Sequence, residues 1–248
     1  MTTPTARSKE AGAFISARQQ VAPGVVTACN GWTAHEVTAH LTGIAIEISR
    51  HLIPCLAGEA IPKTRSFEER EAPLQEMDDA DLCQRLESEE RHTRSLLDQV
   101  LAADPDAVIA WTGRQMAVAK FWPHLRNEFA IHRWDFVGDD DISAELLSQP
   151  ELTEHSVGVL GEILTRRGRQ RDPAPDDHFC VRLRSDSTSD VRLVVQNGSA
   201  RLEIADARDE EPHVDLDAAA RLLVIWGRRP DTRGRFLSGV DQPTLARL

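Results

Sequence analysis

The spacing of apolar residues changes partway along the chain, and that change limits the architectures open to it. Up to about residue 167 apolar side chains recur every third or fourth position, the repeat of a helix with one buried face. From Phe179 they recur every second position, the repeat of a half-buried strand. A chain of 248 residues also exceeds the ~100–150 residues of an ordinary domain. The expected fold class is therefore α+β in two domains: a helical bundle over residues 1–168 and a small antiparallel sheet with a packed helix over 169–248.

Local signals set the elements. Residues near 7–21 read as a first helix, closed by the Pro23-Gly24 turn. Thr33 with Glu36 three residues later spells a capping box, and Val37, Leu41, Ile44, Ile48 and Leu52 then form one apolar stripe that ends near Pro54 or Gly58. A polar linker broken by Pro62 and Pro73 follows, then a surface helix from Asp78 to Ala103, a bend at Trp111-Thr112-Gly113, and a helix from about Ala117 to Val137 that Pro123 kinks or starts. A further helix over Ala144 to Arg167 precedes RRGRQRDPAPDD, which reads as an interdomain linker. Strands are expected at 179–183, 191–195 and 200–204, with a turn at Asn197-Gly198; Asp217 caps a last helix that Gly227 and Pro230 terminate.

The composition excludes several function classes. A formal charge of −11 repels phosphate backbones and anionic lipid, so neither nucleic acid nor a membrane is an expected partner. No run of about 18 apolar residues occurs, and MTTPTARSKEAGAF lacks the apolar centre of a signal peptide. Cys29, Cys55, Cys83 and Cys180 are widely spaced, as reduced thiols in a cytoplasm are. Lysine occurs only at Lys9, Lys63 and Lys120 against many arginines, a bias of GC-rich genomes. The acid-rich stretch Asp206 to Glu211 reads as a solvated loop, and nothing distinguishes a monomer from a dimer.

The candidate chemistry lies on the inward faces of two helices. His40 falls beside the Val37/Leu41/Ile44 stripe, whereas His35 falls on the opposite, solvated side. On the fourth long helix Phe121, Leu125, Glu128, His132 and Asp135 share one face. A carboxylate aimed at a bundle core is unfavourable by several kcal/mol unless a partner or a cation compensates it. Glu128 and His132 stand on adjacent turns, close enough to share one ion, and a histidine from a facing helix supplies a third ligand. Spacing alone leaves alternatives open: Glu128 could pair with Arg126 or Arg133, and His124, four residues before Glu128, is either a rival ligand or an exposed histidine at the helix start.

The strings GWTAHEVTAHLTG and NEFAIHRWDF resemble the two signatures of the mycothiol-dependent maleylpyruvate isomerase family, and AARLLVIWGRRP resembles the helix and Gly-Arg turn of its second domain. The resemblance implies a DinB-like four-helix bundle whose metal, usually zinc, is held by His40, Glu128 and His132, with Asp135 supporting a ligand or pairing at the helix end. It also implies an arginine that meets a substrate carboxylate, for which Arg228 is the best match beside Arg229, Arg233 and Arg235. The expected co-substrates are mycothiol and a small electrophile, giving cis–trans isomerisation or S-transfer. No cysteine of the chain stands in an activated arrangement, and neither a GxSxG elbow nor a phosphate loop is present. Two other readings remain at this point, a metal-dependent hydrolase that activates water and a non-catalytic binding or stress-response module.

Overall fold

The computed structural model describes residues 6–29, 31–166, 178–185, 188–197, 199–205, 213–228 and 237–238. They form two compact units, Met1–Val137 and Gly138–Leu248.

The first unit is a four-helix bundle of α1 (Lys9–Arg18), α2 (Ala34–Ala57), α4 (Asp79–Ala103) and α5 (Phe121–Val137), with the shorter α3 (Phe67–Gln75) laid against α2. The Thr33–Glu36 capping box starts α2 as the sequence spells it, and Gly58, at φ 68°, closes the helix in the left-handed conformation that glycine adopts without a Cβ penalty. The whole stripe Val37, Leu41, Ile44, Ile48 and Leu52 is buried. Each such side chain contributes roughly 1.5–3 kcal/mol relative to exposure, which is what holds so long a helix in the bundle.

Two elements of this unit were hidden in the sequence. The stretch read as a polar linker contains α3, whose Ser66 and Glu69 form a second reciprocal capping box. Two features of α2 seat it. Gly43 lets α3 approach closely: a Cβ there would stand 3.3 Å from Glu71 Cγ and 3.5 Å from Arg70 Cβ. One turn on, the fully buried Glu47 carboxylate accepts the Arg65 backbone N–H at 2.8 Å, Arg65 Nε at 2.7 Å and Arg50 Nη1 at 2.9 Å. The second hidden element is a hairpin, β1 (Val108–Trp111) and β2 (Arg114–Ala117), turned by Thr112 and Gly113 at φ 48° and 81°, the positive pair that a tight two-residue turn needs. A short 3-10 turn, Val118–Lys120, then leads into α5.

The second unit holds α6 (Asp141–Leu147), α7 (Pro150–Arg166), strands β3 (Phe179–Arg184), β4 (Asp190–Gln196), β5 (Ser199–Ala205), β6 (His213–Asp215) and β7 (Leu237–Ser238), and α8 (Ala218–Ile225). The sheet order is β5-β4-β3-β6-β7. It is antiparallel throughout except that β3 and β6 run parallel, a pairing the alternation pattern did not reveal. The single helix expected over Ala144 to Arg167 is two helices, because Pro150 opens a new one at the first-turn position it favours.

The sequence-based boundary at 168/169 is corrected by packing. Gly138, at φ 72°, follows the end of α5, and α7 packs on β5 and α8, with Val157 sharing a core with Val181, Leu183, Val191 and Val214. Helices α6 and α7 therefore belong with the sheet. The linker residues 167–177, the acidic stretch 206–211 and the arginines at 229, 233 and 235 lie outside the described residues. Among the described residues no helix is long and apolar enough to cross a membrane.

Candidate metal centre

His40, Glu128 and His132, read from the sequence as a set, come together inside the first unit: one ligating atom from each lies within 4.8 Å of the others. Helix α2 brings His40 by the face that carries the apolar stripe, and α5 brings Glu128 and His132 from adjacent turns. The two imidazoles meet edge to face, with centroids 5.3 Å apart. Glu128 Oε2 lies 3.7 Å from His40 Nε2 and 3.6 Å from His132 Nε2. Such separations are longer than a hydrogen bond, and close to the roughly 3.3–3.6 Å expected between donors that each sit ~2.0–2.2 Å from one shared ion.

The far sides of both rings are committed. His40 Nδ1 is 2.7 Å from Glu71 Oε1, and His132 Nδ1 is 2.7 Å from Asp135 Oδ2. A carboxylate on Nδ1 fixes the tautomer in which Nε2 keeps its lone pair, the outer arrangement that histidine ligands of metals ordinarily have. Asp135 thus pairs with His132 across one turn of α5. Glu71 escaped sequence reasoning because Pro73 made its segment look like a linker; the signal that would have found it is Ser66-x-x-Glu69, a capping box of the same kind as that of α2.

Electrostatics agree with the geometry. Burial works against the Glu128 charge, but His132 and His40 outweigh it and hold the carboxyl well below the usual carboxylate range. Burial also favours a neutral His40, yet Glu128 and Glu71 together raise its pKa above the ordinary histidine value. Imidazole nitrogens with a carboxylate oxygen are donors that suit zinc and its divalent neighbours, so the residues present fit a metal.

Arg126 pairs with Glu10 at 3.1 Å. His124 is buried rather than exposed, close to Trp111 at 6.5 Å between ring centroids, and burial lowers its pKa. It is not part of the convergent set. His35 is tied to Asp79 at 2.9 Å and to the Gln75 carbonyl. Cys29 was set aside by the sequence, yet its sulfur lies within 4.8 Å of ligating atoms of His132 and Asp135. The Ala28 N–H to Asp135 carbonyl bond, 2.9 Å, ties its loop to the end of α5.

Aromatic residues close the surroundings. Trp32, which precedes the α2 cap, meets the His40 ring at 5.0 Å and lies nearly parallel to that of His132 at 6.4 Å. Phe67, the first residue of α3, stacks on His40 at 5.6 Å while remaining 62% exposed, so it stands between the histidine and the outside. In the second unit, Arg228 follows α8 after the left-handed Gly227, and its Nη1 donates to the Trp226 carbonyl at 3.1 Å.

The fold has solved counterparts. A structure of the mycothiol-dependent maleylpyruvate isomerase aligns with a TM-score of 0.66 over 93% of this chain and 88% of that one, at 15% identity. A histidine-to-alanine mutant of the mycothiol-dependent maleylpyruvate isomerase aligns with a TM-score of 0.65 at 14% identity and the same coverage. No curated protein matches the sequence. Residues 8–136 match the family model described as the mycothiol maleylpyruvate isomerase N-terminal domain. Since that match spans more than half of the 248 residues, the chain belongs to this family.

Proposed function

We propose that the chain is a metal-dependent enzyme that activates a low-molecular-weight thiol, mycothiol, for addition to a small electrophilic, carboxylated substrate. The observation that carries this reading is the convergence of two imidazole Nε2 atoms on one Glu128 oxygen while both Nδ1 atoms are held by carboxylates. A divalent ion, zinc or a neighbour, would supply the positive charge that keeps a thiol ionised at neutral pH. Three protein donors leave room for an outside group beside them.

The chain's own residues divide the work. Glu71 and Asp135 hold the two rings in the tautomer that presents Nε2, and Glu128 supplies the third donor and a negative charge. Trp32 and Phe67 shield the rings from water. Arg228, carried over from the family resemblance, is assigned to a substrate carboxylate, where a guanidinium binds in a bidentate fork. Addition of the thiolate to one carbon of a double bond conjugated to a carbonyl moves the π electron pair into an enolate and leaves a single bond free to rotate. Collapse of the enolate expels the thiolate and gives the trans isomer, whereas protonation of the enolate carbon by water retains the sulfur as an S-conjugate.

The test is turnover of an electrophilic cis-alkene acid by metal-loaded protein with and without added thiol. The expected result is activity that requires thiol, disappears on chelation and returns with zinc. Equal rates without thiol would remove the thiol reading, and protein purified without chelator that carries no metal would leave a binding module.

A further inference from the structure

Arg70, on α3, is a buried charged group of the first unit that the proposed chemistry has not used. Its side chain is 4% exposed, yet its Nε has no hydrogen-bond partner among the described residues. Its ion pair is loose as well: Nη2 stands 3.6 Å from Glu71 Oε1, the same oxygen that already holds His40 Nδ1 at 2.7 Å. Buried guanidinium groups ordinarily spend their five donors on acceptors, and an unspent one costs free energy. Here the group rests instead on an aromatic face, with its central carbon 4.5 Å from the centre of the Phe67 ring.

The same Phe67 ring stacks on His40, so one aromatic plate has the candidate ligand against it on one contact and the guanidinium on another. Arg70 is near enough to the centre for its charge to act on both Glu128 and His124. Its place is fixed from below, since Gly43 admits α3 at close range and Glu47 pins Arg65 ahead of it. A preorganised cation with an unspent Nε donor, linked through Glu71 Oε1 to the candidate ligand His40, is what a small anionic substrate requires.

We propose that Arg70 binds a carboxylate of the substrate, so that the bundle unit itself holds an acidic electrophile beside the metal centre. This rests on the function proposed above and narrows it to substrates with a carboxylate within a few carbons of the reacting double bond.

The test uses the full chain, metal-loaded, with maleate as the probe and its dimethyl ester as the uncharged control. Maleate binding is followed calorimetrically in wild type, Arg70→Gln, Arg70→Lys and Arg228→Gln, with metal content and melting temperature measured for each. The expected result is at least a ~10-fold weaker maleate affinity in Arg70→Gln, partial recovery in Arg70→Lys, and no binding of the ester. In turnover the same variant should raise KM for the acid more than it lowers kcat. Wild-type-like maleate affinity in Arg70→Gln that retains its metal would overturn the proposal. So would wild type that binds no maleate, or affinity that is lost only in Arg228→Gln. Should Arg70→Gln fail to fold, Arg70→Lys decides: it keeps the charge and shortens the fork, and an unchanged affinity there refutes a bidentate role. Protein that carries no metal but still loses maleate with Arg70→Gln would refute the metal reading and leave Arg70 standing.

Discussion

Both units bury charge, but they do so to opposite ends. In the sheet unit Arg182 and Arg221 are almost wholly buried, and each turns its Nη groups to acceptors within that unit, although the Arg221 Nε has no hydrogen-bond partner among the described residues. Arg182 pairs with Asp190 at 3.0 Å across the β3–β4 hairpin. Arg221 reaches from α8 to the Ser189 carbonyl at 2.6 Å and to the Thr188 hydroxyl, and burial brings its pKa down to about 10. These arginines staple a helix and a loop to a sheet. In the bundle unit three carboxylates surround two imidazoles, and Glu128 lies between Nε2 atoms at distances too long for hydrogen bonds. Charge spent on neighbouring backbone and loop acceptors marks architecture, whereas charge that converges on one point marks a site.

That contrast can be broken by substitution. The largest effect is expected for His132→Ala, which removes one of three donors: metal content of the purified protein should fall, with affinity lowered by more than ~100-fold, while the bundle stays folded. Retained zinc by elemental analysis would end the assignment. Next is Arg221→Ala, which leaves buried backbone and hydroxyl acceptors unpaired and should cost about 2–3 kcal/mol in the second unit by denaturant unfolding. Metal affinity should not move; if it does, the units are not separable in the way the contrast requires. Third is Glu71→Gln, which keeps the volume and removes the charge behind His40. A ~10–100-fold loss of metal affinity with an unaltered melting temperature of the metal-free protein is expected, and an unchanged affinity would make Glu71 a structural partner only.

How legible each part was follows from the range of the interactions that fix it. The α2 cap, the stripe from Val37 to Leu52 and the Asp217 cap of α8 are local, and all three stand where their residues place them. The convergence of His40, Glu128 and His132 was legible because each lies on the apolar face of its own helix, so burial of the two faces brings the set inward. Glu71 and Arg70 were not, because α3 is short and its place depends on a missing Cβ at Gly43 and on Glu47, both on another helix. The parallel β3–β6 pairing was likewise hidden, since alternation says which face a strand buries and not which neighbour it chooses. The split at Pro150 was the avoidable error: a proline at that place is a helix start.

The smallest effect concerns pH, and its sign rather than its size is diagnostic. In metal-free protein the raised pKa of His40 means that the folded state binds its proton more tightly than the unfolded chain does. That stabilisation is fully present below the unfolded histidine value of about 6.5 and is lost as pH rises through the higher folded value. The lowered pKa of Glu128 acts in the other direction, stabilising the fold above the unfolded carboxylate value of about 4.3 and failing as pH falls through the folded one. From these two groups the metal-free protein should therefore be most stable in the mildly acidic window between them. A metal competes with that proton for His40, so its binding releases a proton and strengthens as pH rises. Melting temperatures of chelator-treated and zinc-loaded protein, measured from pH 5 to 8, should move in opposite directions above about pH 6.5. Parallel curves would show that the proton and the ion do not share a site, and would place the cation somewhere other than between the two imidazoles and Glu128.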